Sequence, residues 1–259
     1  MRALSIAKIN DNLINEDAAI ANDCKIAVSD GAGGGGVFAD KWSKYLVEHL
    51  PDKPIKDYAA FDNWIDGIWE PFYNDCEEKA KAEGGMLLNK FYDEGSFATI
   101  VAVWKTGEWI SYGDSVAFCY NRKTKNLQHS FGQIVNFNRP PYLVNCKDPS
   151  DEKGFKYGKF KMDEDCIMFA ASDALAHYVL MMYEVSHLDR YASELQEAVD
   201  AQTKNSSYVK AAMSLRQVYF EKRLMKLLNL KHKGHFKQHL QKLYKDGLIS
   251  HDDYSLVIM

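Results

Sequence analysis

Four short aspartate-bearing segments constrain this chain more than any other feature. They are Asn15-Glu16-Asp17, Ser29-Asp30-Gly31-Ala32-Gly33-Gly34, Ser172-Asp173-Ala174-Leu175 and Asp252-Asp253-Tyr254-Ser255-Leu256-Val257. Three of them abut apolar, strand-like runs: Ile26-Ala27-Val28, Cys166 through Ala171, and Leu256 through Met259. A carboxylate at the end of a buried strand is costly unless something pairs with it. Several converging on one place call for cations, and hard oxygen donors suit magnesium or manganese. The expected outcome is a metal site assembled by the fold from segments far apart in the chain.

Two further segments, Gly95-Ser96-Phe97-Ala98-Thr99 and Gly113-Asp114-Ser115, complete a series of six. In this order the six resemble the metal-dependent serine/threonine phosphatases of the protein phosphatase 2C (PPM) type, in their bacterial, single-domain form. The resemblance runs from Asn15 to Met259. It implies an α+β fold, a four-layer α-β-β-α sandwich with a helical region before the last strand. It also implies two divalent ions, Mn²⁺ or Mg²⁺, with a third in some bacterial relatives. Phosphoserine and phosphothreonine on proteins would be hydrolysed by a hydroxide bridging the two ions. Carried over by motif, Asp30 bridges both ions, the Gly31 carbonyl joins one, and Asp173 and Asp252 complete the other. Asp17 holds metal-bound water with Glu16 nearby, and Asp114 matches the position that helps bind the third ion. The catalytic set is therefore Asp17, Asp30, Asp173 and Asp252.

Departures fall on the phosphate contacts. Many relatives carry an arginine five residues before the aspartate of the acidic motif, where it grips phosphate with two parallel hydrogen bonds. Here that position is Asn12, and the nearest upstream cation is Lys8. A lysine is a point charge rather than a fork, so Lys8 would position phosphate more loosely. The expected Ser-Asp-Gly reads Ser172-Asp173-Ala174, and Val116 stands where arginine is common. These changes leave room for an alternative: a catalytically weak or inactive phosphatase-fold module that binds or regulates.

Composition narrows the field. With 259 residues, 46% hydrophobic and 26% charged, the chain can bury a substantial core as an ordinary soluble protein. A net charge of −4 gives no reason to expect nucleic acid. No apolar run approaches the roughly 20 residues that cross a bilayer, so no membrane is expected. The N-terminus lacks the apolar core of a signal peptide. Five cysteines without a CxxC pair suit a reduced, cytoplasmic setting. The expected partners are a phosphoprotein substrate and a regulatory partner on the helices of 174–245.

Periodicity places the elements. Residues 24–30 read as a buried strand, and Val37, Phe38, Trp42, Tyr45, Leu46 and Leu50 as a helix closed by Pro51 and Pro54. Residues 60–90 read as helical, 97–104 as a strand, and 108–120 as two strands broken at Gly113-Asp114. Residues 137–165, with Pro140, Pro141 and Pro149, read as a surface flap. A strand at 166–171, helices over 174–245 and a strand at 254–258 follow, with no linker, so one domain over 1–259 is expected. Simpler readings compete at several sites. Asp30-Gly31 alone is a turn, Asp173 alone a helix cap, and Asp252-Asp253 alone surface charge. The run Gly33–Gly36 lacks the Gly-Lys-Ser/Thr ending of a phosphate loop. His232, His235 and His239, set among lysines, read as a solvated basic face.

Overall fold

Alternation of side chains along extended backbone sorts the strands of this chain into faces, and that sorting builds its layers. The structure is a computed structural model that describes residues 1–9 and 13–259. In chain order the strands are β1 (Arg2–Ile6), β2 (Ala18–Ala21), β3 (Lys25–Ser29), β4 (Phe97–Ala98), β5 (Ile100–Trp104) and β6 (Glu108–Tyr112). They continue with β7 (Val116–Asn121), β8 (Leu127–His129), β9 (Val144–Asn145), β10 (Phe155–Lys159), β11 (Cys166–Ala171) and β12 (Tyr254–Ile258). Between β3 and β4 lie α1 (Ala39–Glu48), α2 (Tyr58–Asp66), α3 (Trp69–Glu83) and α4 (Gly85–Glu94). Between β11 and β12 lie α5 (Asp173–Val185), α6 (Leu188–Asp200), α7 (Lys204–Met213), α8 (Phe220–Leu228) and α9 (Lys233–Lys245).

Two five-stranded antiparallel sheets result, ordered β1-β12-β11-β7-β8 and β10-β6-β5-β3-β2. Their inner faces meet in a small core of Ile26, Val28, Val101, Val103, Ala117, Cys119, Met168, Ala170 and Val257. The residues between these point the other way. Phe118, Phe169, Ala171 and Leu256 pack under α5 to α9, while Ala27, Ile100, Ala102 and Ile110 pack under α1 to α4. The architecture is therefore helix, sheet, sheet, helix, as the resemblance implied. The inner positions are small or branched, which lets the two sheets approach, and the bulk goes outward to the helices. Local signals start the helices: Asp57 accepts a hydrogen bond from the Ala60 amide at 2.8 Å ahead of α2, and Thr203 with Ser206 forms a capping box on α7.

Three expectations need correction. The helical stretch of 60–90 is three helices rather than one region, parted at Gly67-Ile68 and Gly84. Residues 137–165, expected as a surface flap, hold β9 and β10, and β10 pairs along its whole length with β6 as a sheet edge. Three of its five residues are exposed, and the alternation of Phe155 and Tyr157 with Lys156 is too short to mark a strand amid the surrounding charges. The short strands β1, β2 and β8 were also not anticipated; β1 runs antiparallel to β12, which joins the two ends of the chain. Among the described residues, no helix is long and apolar enough to cross a membrane.

Trp42 anchors the outer helical layer on one side. It is fully buried, its ring lies 4.6 Å from that of Phe72, and its indole N–H donates to the Val144 carbonyl at 3.0 Å. Trp42→Ala should cost about 3–5 kcal/mol of stability in urea unfolding, and Trp42→Phe distinctly less. Equal losses in the two variants would show that the ring volume is not what this site needs.

Candidate metal centre

The ends of four strands meet at one end of the sandwich. Ala171 pairs with Leu256 and with Val116, so the exit of β11 lies beside the entrances of β12 and β7. Just beyond, the Ser172 amide donates to the Ser255 carbonyl at 3.1 Å, and the Ser255 amide donates to the Ser172 hydroxyl at 2.9 Å. Asp173 and Asp252 are thereby brought within a few residues of the same point. Asp30 is tied in from the other sheet. Its amide donates to Thr99 Oγ1 at 3.2 Å, and the Thr99 amide donates to the Asp30 carbonyl at 2.8 Å. Thr99 Oγ1 in turn lies 2.9 Å from the hydroxyl of Ser115, the neighbour of Asp114. Gly113 makes the turn between the sheets: its φ is 110°, and a Cβ there would stand 2.6 Å from the Thr99 side chain.

The carboxylates act on one another. Burial, then the charges of Asp17, Asp173, Asp114 and Asp252, push the Asp30 carboxyl well above the ordinary carboxylate range. Burial, followed by Asp114, Asp252 and Asp17, does the same to Asp173. Asp114 is pushed up to about 6 by burial and Asp252. Asp17 is pushed up to about 7, chiefly by burial, with the Ser172 and Ser255 hydroxyls opposing and Asp253 and Asp252 adding to the rise. Both Asp17 oxygens are buried, and neither has a partner within hydrogen-bonding geometry. Asp30, Asp114 and Asp173 keep some contact with solvent. Asp173 opens α5, where its carboxylate accepts from the Ala174 amide, so it sits at the positive end of a helix dipole.

The remaining residues form the rim. Lys8 Nζ lies 3.6 Å from Asp252 Oδ1. Partial burial lowers the Lys8 pKa, but Asp252, Asp253 and Glu16 outweigh it and hold the ammonium charged. The Glu16 carboxyl is raised by burial against the pull of Lys8. It rests so close to the backbone of Gly33 that a Cβ on that residue would stand 1.9 Å from Glu16 Oε1. Gly31 is equally confined, with a Cβ there meeting the Glu16 carbonyl at 2.6 Å and the Ala39 carbonyl at 2.8 Å. Close approach thus confines Gly31, Gly33 and Gly36, whereas Gly34 and Gly35 stand free of close neighbours. Asn12, where the arginine of the relatives was sought, lies outside the described residues.

Sequence reasoning missed the residues that hold this arrangement. Asp253 accepts from the Lys8 amide at 2.8 Å and from the Glu16 amide at 2.7 Å, strapping the N-terminal segment to the site. Thr99, Ser115, Ser172 and Ser255 are the other joints. All lie inside or beside the six segments, but a hydroxyl one residue from a carboxylate carries no signal by itself. The histidines divide: His232 and His235 are exposed on α9, whereas His239 is half-buried and turned inward, unlike the solvated face expected.

The donor set fits a hard divalent cation. Carboxylate oxygens are in excess, and those of Asp17 have no partner. Among the described residues, no three Asp, Glu, His or Cys side chains close on a single point as a finished chelate. Like charges without a counter-ion keep apart, and magnesium and manganese retain several waters, so a looser ring of carboxylates suits them. A larger cavity, about 620 Å³, opens on the helical face around Tyr120, His187 and Phe220 and contains none of these acids.

No protein-family model matches this chain, and no curated protein sequence matches it. Solved structures do resemble it. One is the catalytic domain of the serine/threonine protein phosphatase PstP in complex with two manganese ions, at 14% identity and TM-score 0.51, covering 99% of this chain and 96% of that one. Another is a bacterial serine phosphatase carrying an arginine-to-alanine substitution, at 13% identity and TM-score 0.51, covering 100% and 97%. At such identities the likeness is one of fold: the four layers here are those of the protein phosphatase 2C type.

The raised pKa values have a direct consequence. Asp17 moves from 3.8 to about 7, so between those values the folded, metal-free protein binds more protons than the unfolded chain. Its stability therefore falls as pH rises through that window. With chelator at pH 8, Asp17→Asn should raise stability by about 1–3 kcal/mol in urea unfolding and flatten the pH dependence. Mn²⁺ should stabilise the wild type more at pH 8 than at pH 5, read by thermal shift. A wild-type protein whose metal-free stability rises from pH 5 to pH 8 would contradict the coupling among these carboxylates.

Proposed function

We propose that this chain, as one phosphatase-like unit over residues 1–259, hydrolyses phosphoserine and phosphothreonine on proteins with Mn²⁺ or Mg²⁺. The observation that carries this reading is the ring of mutually raised carboxylates at the strand ends, with both Asp17 oxygens unpartnered. The shared fold and the two manganese ions of PstP support it.

Asp30, the Gly31 carbonyl, Asp173 and Asp252 would hold two ions, and Asp114 a third, weaker one. Bound there, such ions lower the pKa of water and screen the phosphate oxygens. The chain supplies everything else. Asp17 and Glu16 offer acceptors that orient water in the recess and draw its protons toward the protein. Lys8 stands on the rim beside Asp252, where its ammonium can meet a phosphate oxygen. It neutralises charge without the two-pronged grip of an arginine, so it favours entry of a dianion more than its exact orientation. Asp253 takes no part in chemistry; it places Lys8 and Glu16 by holding their amides. Thr99 and Ser115 keep Asp30 and Asp114 in register across the two sheets.

With a phosphothreonine peptide, activity should vanish on chelation and return with Mn²⁺. Asp30→Asn should lower kcat/KM by about a hundredfold or more. Lys8→Ala should raise KM about tenfold, equivalent to about 1.4 kcal/mol, with a smaller change in kcat. Tight Mn²⁺ binding without turnover on any phosphopeptide would make the chain a phosphatase-fold binding module instead.

A further inference from the structure

On the helical face, α5, α8 and α9 enclose a second cavity, of about 250 Å³, that shares no residue with the acid cluster. Its walls carry Lys222, Arg223 and Lys226 from α8, His239 and Lys242 from α9, and Tyr178 from α5, with Asp246 as the lining acid. The lining therefore carries four formal positive charges and one negative charge. Among the described residues, no carboxylate stands within ion-pairing distance of any of the four. Glu221, the acid of α8, pairs instead with Lys125 at 2.5 Å. Lys222 and Lys226 are four apart on one helix, a spacing at which like charges repel.

Lys222, Lys226 and Lys242 are exposed and Arg223 is half-buried, so water reaches the lysine ammonium groups. The group it does not reach is His239. Its ring is half-buried, and its Nε2 is buried with no hydrogen-bond partner. Burial, together with Lys226, Lys242 and Arg223, pushes its pKa down to about 4. An orphaned buried nitrogen is uncommon in a folded protein. The excess of cations and their crowding of His239 are relieved by the same thing: an anion with several acceptor oxygens.

The geometry points to a binding site for a small phosphate-bearing anion in this cavity. Arg223, whose guanidinium also meets the Tyr178 hydroxyl, offers a planar fork for two oxygens of one phosphate, Lys226 and Lys242 add point charges from opposite helices, and the anion offsets the cations that crowd His239. The volume lies below the about 300 Å³ where pockets for drug-sized ligands begin. It suits one or two phosphate groups rather than a whole nucleotide. Such a ligand joins α8 to α9.

The test is calorimetric titration of the full chain with inorganic pyrophosphate at physiological salt, with chelator present so that no metal carries the anion to the acid cluster. Saturable one-site binding is expected. Lys226→Gln/Lys242→Gln should weaken it at least tenfold, whereas the same charge change at two exposed lysines elsewhere, Lys53→Gln/Lys56→Gln, should leave it unchanged, as should Asp30→Asn. Removing mutual repulsion should not unfold the first pair, and circular dichroism checks that. The His239 ring proton signals should titrate at higher pH with pyrophosphate than without it. Absence of saturable binding, equal losses in the two lysine pairs, loss with Asp30→Asn, or an unchanged His239 titration would each overturn the assignment.

Discussion

Mutual repulsion among Asp17, Asp30, Asp114, Asp173 and Asp252 is the constraint around which this molecule is arranged. Asp17, Asp30, Asp114 and Asp173 are raised by burial and by their neighbours' charge, Asp252 among those neighbours, so bringing them together opposes folding. Only a strongly favourable remainder can hold them there. The four layers supply it: three apolar cores, one between the sheets and one under each helical layer, composed largely of side chains with no exposure at all. The strain sits where the strands end and the packing stops, which leaves it open to relief by cations.

Positional control comes from hydrogen bonds that the repulsion cannot break. Asp252 and Asp253 are adjacent and chemically identical, yet their fates differ. Asp253 is buried and satisfied by two backbone amides, while Asp252 faces the recess with Lys8 beside it. The doublet lies in the bend before β12, where one side chain turns to the amides of the N-terminal segment and the other to Lys8. Thr99 plays a comparable double part. Its backbone pairs with Asp30 in one sheet, and its hydroxyl reaches Ser115 at the edge of the other.

The two charged hollows of the molecule have opposite signs and separate supports. The acid recess lies where strands of both sheets end. The basic cavity belongs to the outer helical layer, and α5 is the element common to both, with Asp173 at its first residue and Tyr178 lining the cavity. An overall charge of −4 conceals both.

Reading the sequence alone was enough to locate the strand ends, because an apolar run stopping at an aspartate is a local pattern. β3 and β11, which run into Asp30 and Asp173, and β7 and β12, which follow Asp114 and Asp253, were legible for that reason, and β5 as a short run of β-forming residues; the placement of helices between them was legible too. The edge strand β10 was not, since its alternation is too short and only the partner β6 makes it a strand. The identity of the acidic residues was likewise written in the chain, but their roles were not. Which aspartate would be strapped to amides and which left facing its neighbours depends on register between β11 and β12 and on where the N-terminal segment comes to lie. His239 belongs to the same class: its helix looked solvated, and only the tertiary fold buried part of its ring beside Arg223 and Lys226 of α8. Composition and spacing determine what charge each segment brings; the tertiary structure alone decides how much water each charge loses and which other charges it must face.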